Sequence, residues 1–178
     1  MSRVGAGDSP ACCRVLLSTE WRESITIVAT FPYQKEDRAL FITYATWQRW
    51  HLPDAARSLA LESCTRANDR KYRLYAAVVM PDHVHLICMP LVDDEGLISI
   101  PEITRTIKSE SAHRINTALS RTGRVWQDES FDHVLRGDES LRSKVQYILE
   151  NPLRAGLVTP PEEYPWLWWD RQLVVAAS

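Results

Sequence analysis

No stretch of this 178-residue chain stays apolar long enough to cross a bilayer. The short run from Ala11 to Leu17 contains Arg14 and leads to no clear cleavage site, so a secretory leader is not expected. Cysteine is scarce and follows no paired spacing: Cys12, Cys13, Cys64 and Cys88 suit reduced thiols in a cytosolic chain. Nor is there an excess of positive charge. With 21 Lys and Arg against 23 Asp and Glu, the formal net charge is -2, which by itself does not announce a nucleic-acid binder. Internal repeats, nucleotide-binding motifs and dividing linkers are all missing. What is present, 45% hydrophobic and 25% charged residues, excludes collagenous and disordered classes and suits one domain over 1–178. Residues 1–20 are expected to be a flexible lead and residues 160–178 a C-terminal tail, of which Pro160 to Trp169 is expected to pack across the domain rather than form a regular element.

The chain is organised around Met80-Pro81-Asp82-His83-Val84-His85-Leu86-Ile87-Cys88-Met89. Residues i and i+2 of a strand share a face, so His83 and His85 present two imidazoles side by side, while Cys88 has the opposite parity. That parity speaks against a structural zinc site built from the histidines and the cysteine. Around this run, Ser24–Thr30 is readable as a short strand or an extended arm, Leu40–Thr46 as a strand, and Pro53 as the opening of an amphipathic helix. Tyr72–Met80 forms a second strand, which Pro81-Asp82 turns into a third carrying the histidines. Asp93–Gly96 reads as an acidic loop. Ser99 and Pro101 open a helix to about Leu119, Phe131–Arg136 is a last strand, and Asp138-Glu139-Ser140 starts a final helix that Pro152 should end at Asn151.

This order predicts an α+β fold, a ferredoxin-like split βαβ plait whose antiparallel sheet has helices on one face and an additional C-terminal helix. On that last helix Tyr147 and Asn151 stand at i and i+4, on one face, while Val145, Ile148 and Leu149 serve the packed side. An amide oxygen from Asn151 beside two imidazoles would make a mixed nitrogen and oxygen metal shell with open positions, suited to activating a phosphate.

Three blocks carry a family resemblance: Met80 to Ile87; Trp126-Gln127 with Phe131-Asp132-His133; and Tyr147-Ile148-Leu149-Glu150-Asn151-Pro152-Leu153-Arg154-Ala155-Gly156-Leu157-Val158. In order and spacing they resemble the REP-associated tyrosine transposases, members of the HUH single-tyrosine DNA nucleases, over about Leu40 to Trp166. The resemblance implies that His83, His85 and Asn151 bind a divalent metal, Mg2+ or Mn2+. It also implies that Tyr147 is the nucleophile, attacking a DNA phosphate to leave a 5'-phosphotyrosine and a free 3'-hydroxyl. The implied substrate is single-stranded DNA with hairpins, typically repetitive extragenic palindromes, in the bacterial cytoplasm or nucleoid. Relatives act as monomers or as homodimers, and the sequence does not choose between these.

Each residue taken singly also has a plainer reading. A lone His-X-His pair is more often a hydrogen-bonded or incidental pair, Tyr147 a packing residue, and Asn151 a helix terminator. Arg105, Lys108, Arg114, Arg121, Arg124, Arg136, Arg142, Lys144 and Arg154 are concentrated in the second half, where folding could gather them round the catalytic face; DNA contact is expected of Arg105, Lys108, Arg114, Arg136, Lys144 and Arg154, although each taken separately reads as a solvated helical charge. Trp126 either stacks on an unpaired base or belongs to the core. His133 touches DNA, joins the site or packs. Two rival functions stay open: a non-catalytic nucleic-acid-binding module stacking bases on its sheet, and a zinc hydrolase using Asp82 or Asp132.

Overall fold

The computed structural model describes residues 25–26, 39–135, 138–158, 163–171 and 175–176. The expected lead at 1–20, most of the 24–30 segment and Arg136 lie outside the described residues. In chain order the elements are β1 (Ile25–Thr26), β2 (Leu40–Ala45), α1 (Asp54–Arg66), β3 (Tyr72–Val79), β4 (His83–Pro90), β5 (Val92–Asp93), β6 (Gly96–Leu97), α2 (Ile100–Ala118), β7 (Phe131–Val134), α3 (Asp138–Arg154), β8 (Leu167–Trp169) and β9 (Val175–Ala176). The helix starts follow local chemistry: Pro53 is the residue before α1, and the Ser99 hydroxyl accepts from the Glu102 amide at the start of α2.

The main sheet has the order β7-β2-β4-β3-β8, antiparallel throughout. Strand β4 lies between the two strands joined by α1, and β2 lies between the two joined by α2. This is the expected pair of split βαβ units. Alternation along the strands then assigns two layers. Leu40, Ile42 and Tyr44 of β2 and Val84, Leu86 and Cys88 of β4 face α1 and α2, where Ala56, Ala60, Ile103, Ile107 and Ile115 complete one core. Phe41, Val78 and Ile87 point the other way, against Leu141, Val145, Ile148 and Leu149 of α3. The opposite parity of Cys88 is therefore realised. Fully burying each such aliphatic side chain contributes about 1.5–3 kcal/mol, and the additional helix is fixed by its own core.

Three local expectations need correction. Pro152 does not end the last helix at Asn151: α3 continues to Arg154 with Pro152 inside it. The stop comes from Gly156 at φ +67°, where Gly156 N–H donates to Leu153 O and Leu157 N–H to Pro152 O, the paired bonds of a Schellman cap. The tail does not simply pack across the domain, since β8 adds a regular edge strand to β3. The acidic loop is the tip of the small β5–β6 hairpin.

Candidate active site

Met80 N–H donates to His83 O at 2.8 Å and closes the Pro81-Asp82 turn, so β4 starts at His83 on an inner strand. His83 and His85 face the α3 side with ring centroids 4.7 Å apart. Each ring is held from its Nδ1. His83 Nδ1 lies 2.6 Å from Asp82 Oδ1, and Arg49 holds the other Asp82 oxygen at 2.8 Å. Burial pushes the Asp82 carboxyl up, but the hydrogen bond from His83 and the charges of His83, Arg49 and His51 outweigh it and hold it below its usual range. An ionised Asp82 only accepts, so His83 Nδ1 donates and its Nε2 keeps the lone pair in the neutral ring.

His85 Nδ1 lies 2.7 Å from Thr43 Oγ1, its neighbour across the β2–β4 ladder. The ring stacks on Phe41 at 5.4 Å between centroids. Burial above all, with the nearby His83 and Lys144, brings the His85 pKa down to about 3. His85 is therefore neutral over the physiological range, and in the tautomer whose Nδ1–H donates to Thr43 Oγ1 its Nε2 keeps the lone pair of a ligand.

Helix α3 brings Tyr147 to this pair. Its ring centroid is 5.6 Å from that of His85 and 6.0 Å from that of Phe41, edge-on to both. Lys144 Nζ and the Arg154 guanidinium lie 5.6 and 5.7 Å from the Tyr147 ring. One turn after Tyr147, Asn151 is buried, and its side-chain amide makes no hydrogen bond to another described residue. Two imidazole nitrogens and a buried amide are a donor set that fits a divalent ion with open coordination positions. The neighbouring Glu150 carboxylate is held by Arg154 and Gln146.

The remaining site candidates divide between the two layers. His133, exposed on β7, pairs with Phe41 and so shares the α3 side with the histidines. Arg105, Lys108 and Arg114 do not gather there: Ile103, Ile107 and Ile115 turn α2 onto the opposite face of the sheet. Arg114 ties α2 to Glu62 of α1, and the Lys108 ammonium donates to Gln127 O, Asp128 O, Glu129 O and Ser130 Oγ. Lys108 thus organises a loop. Lys108→Ala should lower stability by about 2 kcal/mol, read as a drop in thermal midpoint, because four converging acceptors lose their common donor. Trp126 is a core residue: it is 5% exposed, packs edge-on against Tyr44, and donates from Nε1 to Ser111 Oγ. It offers no face for a base.

The spacing of residues along the chain did not reveal Thr43, Phe41 or Arg49. Their roles depend on strand register and on a loop that returns to the Asp82 turn, although Asp82 itself was visible beside the motif. The zinc hydrolase reading loses its carboxylates here. Asp82 is engaged by His83 and Arg49, and Asp132 pairs with Ile42 and points away from the histidines.

The family model described as transposase IS200 like matches residues 53–151, and the chain belongs to that family. It is 28% identical over 106 residues to the REP-associated tyrosine transposase of Escherichia coli (strain K12), covering 59% of each chain. A Haemophilus influenzae relative is 28% identical over 108 residues, covering 57% of this chain and 61% of the relative. The matches thus span about three fifths of the curated relatives' length. A solved structure of a REP-associated tyrosine transposase bound to a REP hairpin shares the fold, with a TM-score of 0.60 and 22% identity over 79% of this chain and 82% of that one.

Proposed function

We propose that the chain is a metal-dependent nuclease and strand transferase for hairpin-forming, repetitive palindromic DNA, acting on a single strand with Tyr147 as nucleophile. The observation that carries this reading is the approach of Tyr147 to the oriented pair His83 and His85 within one chain. The Nε2 atoms of His83 and His85 and the Asn151 amide oxygen would hold Mg2+ or Mn2+, which when bound supplies charge neutralisation at the non-bridging phosphate oxygens.

The chain's own groups do the rest. Lys144 sets a positive charge beside the Tyr147 ring, where an anionic phosphate must approach, and Arg154, paired with Glu150, stands at the same ring. The Tyr147 oxygen bonds to phosphorus as the P–O3' bond breaks. The phenolic proton leaves, and the departing 3'-oxygen takes up a proton to give a hydroxyl. One phosphodiester replaces another, so rejoining needs no nucleotide triphosphate. In this reading nucleophile and imidazoles come from one chain, and cleavage is the work of a monomer. The DNA this chemistry serves lies in the bacterial cytoplasm or nucleoid.

The test is a labelled single strand carrying such a palindrome, incubated with Mn2+ and run on a denaturing protein gel. A covalent adduct is expected. Binding without an adduct would favour the non-catalytic module instead. Asp82→Asn is expected to weaken Mn2+ binding 10–100-fold in a calorimetric titration, since the amide no longer enforces the His83 tautomer. Unchanged affinity would remove Asp82 from the site.

A further inference from the structure

A concave feature lies at the His83 end of the sheet. Trp47, Gln48, Trp50, Arg121 and Arg124 line a cavity of about 460 Å3. The Arg121 guanidinium sits over the Trp50 ring at 4.1 Å, and that of Arg124 over the Trp47 ring at 4.8 Å. Trp47 is 39% exposed, one of the few large apolar side chains at the described surface. Arg121 donates from Nη2 to Arg124 O, while its Nη1 is closed off from solvent with no acceptor. A buried donor without an acceptor calls for a partner that the protein does not supply.

The backbone links this pocket to the catalytic turn. Gln48 and Arg49 take φ of 52° and 56°, left-handed values that non-glycine residues hold only where the surroundings enforce them. Enforcement comes from hydrogen bonds: Trp47 N–H to Val125 O, Thr46 N–H to Asp82 O and Leu52 N–H to Pro81 O. The conformation sends the Arg49 side chain to Asp82 while its neighbours line the cavity. An indole surface with adjacent guanidinium groups is the chemistry that takes a base on its π-face and a phosphate on its charge.

We infer that this pocket is a nucleotide subsite: it holds an unpaired nucleotide of the same DNA strand, its base stacked on Trp47 and its phosphate held by Arg121, next to the His83 end of the site, while Arg124, paired with Asp128 at 2.7 Å, fixes the pocket wall over Trp47. The inference rests on the single-strand reading above and adds the place where a nucleotide away from the scissile phosphate is fixed.

The test measures fluorescence anisotropy of two labelled DNA hairpins, one blunt and one with an unpaired thymidine flank, on the full chain and on Trp47→Ala, Trp47→Phe and Arg121→Gln. The flank should tighten binding to the wild-type chain, and Trp47→Ala and Arg121→Gln should each remove about tenfold of that affinity. Blunt-hairpin affinity should not change, and Trp47→Phe should retain most of the gain. If the wild-type chain prefers the flanked hairpin and both variants prefer it equally, the pocket inference falls and the single-strand reading stands. If the wild-type chain binds neither DNA, both fall together.

Discussion

Tyr147→Phe should abolish the covalent DNA adduct, by more than ~10³-fold, while DNA affinity stays within about twofold. The substitution removes one oxygen and keeps the ring, so the edge contacts to Phe41 and His85 and the cation contacts to Lys144 and Arg154 survive. The fold should survive too, since Tyr147 is only half-buried. No other described tyrosine can replace it. The Tyr72 hydroxyl donates to Cys64 O and that of Tyr164 to Val79 O, the Tyr75 hydroxyl lies on Met89 Sδ, and that of Tyr44 lies on Cys64 Sγ. All four are buried residues, and burial pushes the Tyr44, Tyr72 and Tyr164 hydroxyls well above or above their ordinary pKa. A denaturing gel with labelled single-stranded DNA reads the result. An adduct of wild-type intensity in the variant would transfer the nucleophile elsewhere.

The histidine motif, the tyrosine helix and the plait were legible in the sequence because each depends on local periodicity. Alternation in β4 placed His83 and His85 together and Cys88 apart, and the i, i+4 spacing placed Tyr147 and Asn151 on one side of α3. What failed depended on non-local geometry. Basic residues of the second half looked like one group along the chain, but the apolar stripe of α2 turns Arg105, Lys108 and Arg114 to the layer opposite the histidines, leaving Lys144 and Arg154 beside Tyr147. Local preference makes Pro152 a stop, yet the helix runs past it to Arg154 and ends at a Gly156 cap that the sequence pattern did not single out. Thr43 could be assigned to His85 only once the β2–β4 register was known.

The sheet register also limits the rival reading of a non-catalytic stacking module. Such a module needs an open sheet face carrying aromatic residues. Here α3 covers that face over Val78 and Ile87, and the aromatic Phe41 is buried against His85. The exposed indole lies instead at the loop after β2. The proposed stacking surface and the proposed catalytic residues therefore lie apart, and substitutions at one are expected to leave the other in place.

That separation makes the histidine substitutions decisive. His83→Ala and His85→Ala should each lower adduct formation by more than ~10³-fold and remove its dependence on added Mn2+, and the double variant should be little worse than either single one, because ligands of one ion act as a unit. Their effects on stability should differ. His83 is partly exposed, and its loss should cost less than about 1 kcal/mol; His85 is 7% exposed, so His85→Ala leaves a void beneath Phe41 and an unpartnered Thr43 hydroxyl and should cost about 2 kcal/mol. Thermal melts separate the two effects, and Mn2+ titration of each folded variant reports ligation directly. Adduct formation that persists at wild-type rate in His83→Ala would exclude that ring as a ligand. If instead both variants lose activity while binding Mn2+ as the wild type does, the imidazoles act on the phosphate or the leaving oxygen, and the metal belongs to another set of donors.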